Sequence, residues 1–155
     1  MKSAFLFALG LAISVLLSSA VTVKAATEGT RKFDGNWSVT LDAKVFKNPD
    51  GSTAQPFVSH FSATVKDGIF HGEKKTRGKP DFLELNGKIA ADGTATLVAT
   101  GISGDTLHTA MASNSAPSAG LPVNYQVVAH FDNRHGTGHS VGSPPRTRIF
   151  TFTKE

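Results

Sequence analysis

The chain has 155 residues, 16 basic against 12 acidic, 15 glycines and no cysteine, so disulfides, thiol catalysis and thiolate metal sites are excluded from the start. Residues 1–25 read as a secretory leader: Lys2 supplies the charged start, Ala4 to Val23 is apolar with Ser14, Ser18 and Ser19 interrupting it, and Val23-Lys24-Ala25 precedes the expected cut. Removing Lys2 and Lys24 with the leader takes the basic count from 16 to 14 against 12 acidic residues, a net of +2. That balance gives little basis for nucleic-acid binding. The expectation is therefore a periplasmic or extracellular protein whose residues 26–155 form a single domain, stabilised by burial and sheet closure alone.

In chain order, period-two alternation predicts strands at Trp37–Asp42, Phe57–Val65, Ile69–Lys75, Phe82–Ile89, Thr94–Gly101, Tyr125–Phe131 and Arg146–Thr153, with an eighth over Gly136–Val141. Asp67-Gly68 and Asp92-Gly93 sit between alternating runs, where a two-residue hairpin turn demands positive φ. Trp37, Val39 and Leu41 share one face, as do Phe57, Ser59, Phe61, Ala63 and Val65. Ser38, Thr40, His60 and Thr64 share the other. The fold class that follows is all-β, an antiparallel meander barrel of about eight strands with an apolar interior. An outer-membrane barrel would carry its apolar residues outward between aromatic girdles. Here the outward residues are Ser and Thr, so no membrane insertion of the mature chain is expected.

Three stretches interrupt the meander: Phe46 to Gln55, with a turn signal at Asn48-Pro49-Asp50-Gly51; basic Thr76 to Pro80; and Ser103 to Pro122, long and rich in Ser, Ala, Gly and Pro. Lys74, Lys75, Arg77 and Lys79 cluster without interleaved aromatics and read as a solvated loop. His130, His135 and His139 lie in turn-like composition and read as a solvated hairpin rather than as metal ligands. Glu73, Asp81 and Glu84 read as exposed sheet charges. Neither a phosphate-binding loop nor a nucleophile elbow is present, so no catalytic residue, metal or cofactor is assigned.

Gly35-Asn36-Trp37, opening the first strand after the leader, resembles the Gly-x-Trp signature of lipocalin and avidin barrels. Small exported bacterial proteins look similar. The resemblance implies that Trp37 closes one end of the barrel, that Gly35 lets the incoming chain pass near it, and that Arg148, or failing it Arg146, lies across the indole from the last strand. A barrel of this size is either filled by side chains or holds one small ligand. Both interiors stay open on the sequence, because bulky Phe57, Phe61, Leu83, Leu85 and Leu97 alternate with Ala63, Gly87, Ala95, Ala99 and Ala129. The function expected first is binding of a small, largely apolar ligand, lined by Phe57, Ser59, Phe61, Leu83, Leu85, Leu97, Tyr125 and Val127, with Ser59 and Tyr125 fixing its hydrophilic end. The alternative is a filled barrel acting as an inhibitor or interaction module, presenting Ser103 to Pro122 and the Lys74 to Lys79 loop to a protein or envelope polymer.

Overall fold

A computed structural model describes residues 28–111, 119–142 and 145–155; the expected leader, residues 1–25, lies outside them. The strands are β1 (Gly35–Ala43), β2 (Phe46–Lys47), β3 (Thr53–Ala54), β4 (Phe57–Lys66), β5 (Ile69–Lys74), β6 (Leu83–Ile89), β7 (Thr94–Ile102), β8 (Pro122–Phe131), β9 (His135–Val141) and β10 (Arg148–Lys154). Eight of them close an antiparallel barrel in the order β1-β10-β9-β8-β7-β6-β5-β4, and β2 pairs with β3 in a small separate hairpin. Among the described residues no helix is long and apolar enough to cross a membrane.

Because every barrel connection joins neighbours, alternate connections fall at the same end. At the first end lie the β4–β5, β6–β7 and β8–β9 turns, all short, with one helical turn at residues 28–31 packed against them. All the long connections lie at the other end: the segment holding β2 and β3, the basic stretch after β5, the segment after β7 and the one before β10. The chemistry therefore collects at one mouth.

Asp67 and Gly68 both take positive φ, 51° and 76°, as the two-residue turn requires. At the second Asp-Gly pair only Gly93 does (91°), and Gly93 N–H donates to Ala90 O at 2.9 Å. That connection is a longer turn ending in a left-handed glycine, with the Asp92 carboxylate accepting from Thr94 N. The pair thus predicted a hairpin correctly at both sites and the two-residue form at one.

The axis is packed over most of its length. Trp37, Phe33, Phe70, Phe131, Phe150 and Phe152 are essentially without solvent exposure. Phe131 touches Phe152 at 4.7 Å between ring centroids, Trp37 at 5.4 Å and Phe70 at 5.8 Å. Rings of this width fit because cross-strand rows pair them with glycine: Gly87 stands between Phe70 and Leu97, Gly136 between Phe131 and Phe152. A Cβ on Gly87 would lie 2.6 Å from Thr96 O, and one on Gly136 2.8 Å from the Phe131 ring. At these positions the small residues mark occupied space.

Candidate functional site

The packing stops short of the second mouth, where a cavity of about 380 Å³ opens among β4, β6, β7, β8, β10 and the loops above them. Its apolar wall is Phe57, Phe82, Leu83, Ile102 and Val123. The polar groups are Ser59, Tyr125, Arg148, Lys74, Lys75 and Asp81, with Asp105 and His108 on the segment after β7. Of the eight lining residues expected from the sequence, Phe57, Ser59, Leu83 and Tyr125 border this cavity. Phe61, Leu85, Leu97 and Val127 point inward but belong to the packed core beneath it.

The cations at this mouth are engaged very differently from one another. Lys74 reaches Asp81 Oδ1 at 2.5 Å and Lys75 reaches Asp81 Oδ2 at 2.8 Å. Burial works against ionisation of Asp81, but the hydrogen bonds and charges of the two lysines outweigh it and hold the carboxyl below its ordinary value. Lys75 and Asp81 both adopt left-handed φ, 62° and 66°, which non-glycine residues rarely do. The ion pairs hold the loop in this shape against a backbone cost of about 1–2 kcal/mol per residue.

Arg146 is 4% exposed and donates to three carbonyls: Lys44 O at 2.9 Å, Gln55 O at 3.0 Å and His108 O at 2.7 Å. Burial, and Arg148 nearby, push its pKa down to about 10, so the guanidinium is still charged at neutral pH. The same two segments are tied a second time, since Asn48 Oδ1 accepts from Met111 N, Asn48 Nδ2 donates to Thr109 O, and Gln55 N donates to Leu107 O. His108 also packs edge-on against Phe57 at 5.6 Å. Arg146 and Asn48 therefore fix one wall of the cavity. Sequence reading did not single out this role for either; an isolated Arg and Asn carry no periodic signal.

Arg148 is not the partner of Trp37. Antiparallel register sets it opposite Ala43, while Trp37 faces Lys154 at the far end of β1, about 20 Å away at ~3.4 Å per residue. The Arg148 guanidinium instead lies 4.7 Å over the Tyr125 ring, and Arg146 lies over Phe57 at 5.1 Å. At the Trp37 end, the indole N–H donates to Phe33 O at 2.8 Å and the ring packs edge-on against Phe131. The last-strand cation there is Lys154, whose ammonium donates to Lys32 O at 3.0 Å. A Cβ on Gly35 would come within 3.0 Å of the Lys154 chain. The arginine does not occupy the place the resemblance implies.

The histidines and acidic residues sort differently from one another. His130, His135 and His139 are exposed on β8 and β9. Glu73 and Glu84 face each other across β5 and β6, and the Glu84 side chain is only 12% exposed, which corrects its reading as an open sheet charge. Their repulsion is relieved by Arg77, 2.5 Å from Glu84 and 3.8 Å from Glu73. His71 joins them at 3.8–3.9 Å. Ligating atoms of His71, Glu73 and Glu84 lie within 4.8 Å of one another, but the Arg77 charge already fills the place of a cation.

Comparison with known proteins adds one structure. No protein-family model matches the chain, and no curated protein does. Among solved structures it is similar to a tryptophan-to-alanine mutant of the vaccine antigen Transferrin Binding Protein B (TbpB) from Haemophilus parasuis Hp5, with 18% identity and a TM-score of 0.49. The match covers 84% of this chain and 28% of that one, so the chain spans under a third of its length.

Proposed function

We propose that the protein is an exported barrel that binds a small, largely apolar molecule in its lumen, in the cup at the second mouth. The cavity of about 380 Å³ beside Phe57, Phe82, Leu83 and Val123 carries this reading. Its size lies at the lower end of the ~300–1,000 Å³ typical of small-molecule sites. Binding works by desolvation: the apolar body of the ligand leaves water for the wall, at roughly 25 cal/mol per Å² buried, and no bond is made or broken. Export rests on the leader read in residues 1–25.

Native mass spectrometry of protein purified from its own host tests the reading, together with thermal-shift measurements on Val123→Trp, which fills the cup from its rim. A copurifying small molecule lost in Val123→Trp is expected. A wild-type protein without such a molecule, and without a thermal shift toward any small apolar compound, would refute it.

The packed axis favours a second reading, in which the same mouth meets a protein or envelope polymer through the loops after β5 and β7. Charge reversal at Arg77 and Lys79 separates the two, abolishing capture of a macromolecular partner while leaving small-molecule uptake in the cup unchanged.

A further inference from the structure

Of the lysines and arginine that line the cup, Arg148 alone makes no ion pair among the described residues. Lys74 and Lys75 are both spent on Asp81, and Asp105 is paired with His108 at 2.9 Å. Arg146 is spent on three carbonyls. Arg148 has no ion-pair partner among the described residues; its guanidinium makes one long hydrogen bond, to Arg146 O at 3.4 Å, and otherwise rests on the Tyr125 ring. Tyr125 borders the same cup and is itself mostly buried, at 6% residue exposure. Burial drives its pKa up to about 12, so it keeps its proton as a donor. The Ser59 hydroxyl, on the opposite strand β4, borders the same space.

On the reading that the cup is a ligand site, we infer that its ligand carries a carboxylate, received by the Arg148 guanidinium and the Tyr125 and Ser59 hydroxyls, on a compact apolar or aromatic body that fills the wall of Phe57, Leu83 and Val123. A planar guanidinium meets a carboxylate through two parallel N–H···O bonds. Arg148 beside two neutral hydroxyls offers a carboxylate both of these bonds, whereas the second ammonium charge at Asp81 is held away in the loop by its ion pair. At about 30 Å³ of liquid volume per water, the cavity takes on the order of a dozen non-hydrogen atoms, so a long acyl chain would project from the mouth.

The test uses the full mature chain and three probes of one shape, phenylpropionate, phenylpropanol and phenylpropylamine, with phenylethylphosphonate as a fourth, measured by calorimetry and ligand-observed NMR. The acid is expected to bind at least tenfold more tightly than the alcohol, with the amine weakest. In Arg148→Met the acid and alcohol become equal, and Tyr125→Phe lowers acid affinity several-fold while leaving the alcohol unchanged; melting curves of both variants check that the barrel persists. Alcohol binding as tight as acid, or acid preference surviving in Arg148→Met, overturns the carboxylate inference and leaves the cup reading standing. Tighter binding of the phosphonate overturns the assigned class. If no probe binds and none shifts the melting curve, both the inference and the cup reading fall.

Discussion

Replacing Arg146 with Met removes a charge while keeping a long, flexible side chain. Three carbonyls, of Lys44, Gln55 and His108, lose donors at 2.7–3.0 Å. Hydrogen bonds to a charged group are each worth about 1.5–3 kcal/mol, so the gross loss is roughly 4.5–9 kcal/mol. Two effects reduce it. The variant no longer buries a cation, a cost of several kcal/mol, and it no longer buries Arg146 Nε, which has no partner and costs about 1–3 kcal/mol. The net loss is therefore well below the gross figure, and it has a ceiling: once the segments around β2 and β3 and around His108 lift away, water satisfies the carbonyls and no further penalty accrues. The expected result is local opening rather than global unfolding. Hydrogen exchange should accelerate at the Asn48, Gly51, Gln55 and Met111 amides, which are bonded within this latch, and stay unchanged across β6, β7 and β8. Uniform acceleration over the whole barrel, or none at the latch, would refute the reasoning.

Phe131→Ala removes a ring that is 1% exposed and touches Phe33, Trp37, Phe70 and Phe152; it should cost about 3–5 kcal/mol in urea unfolding monitored by Trp37 fluorescence. Gly87→Ala drives a Cβ to 2.6 Å from a strand carbonyl and should destabilise clearly. Gly51→Ala, with φ of 87° but nothing within 4 Å, should cost only the about 1–2 kcal/mol of left-handed backbone. The Asp81 carboxyl is held below 3.8 in the folded protein, so its stabilisation is complete above that pH and lost as pH falls through the lower folded value. Acid titration followed by circular dichroism should show this component in wild type and lose it in Asp81→Asn. The same variant frees Lys74 and Lys75, and should tighten binding of an anionic probe in the cup.

Side-chain alternation made much of the barrel legible in the sequence. A strand has a period of two, so Trp37-Val39-Leu41 and Phe61-Ala63-Val65 could share the core only by pointing the same way, whatever their neighbours. Sequence left three matters open, all of them questions of register between strands far apart in the chain. Pairing of Ala43 with Arg148 carried that arginine to the mouth opposite Trp37; cross-strand rows set glycines against phenylalanines and filled the axis; and Arg146 found its carbonyls across 38 to 102 residues of chain. Local periodicity determines which face a residue takes. Only closure of the sheet decides its height along the axis, and height separates a packed core from a cup.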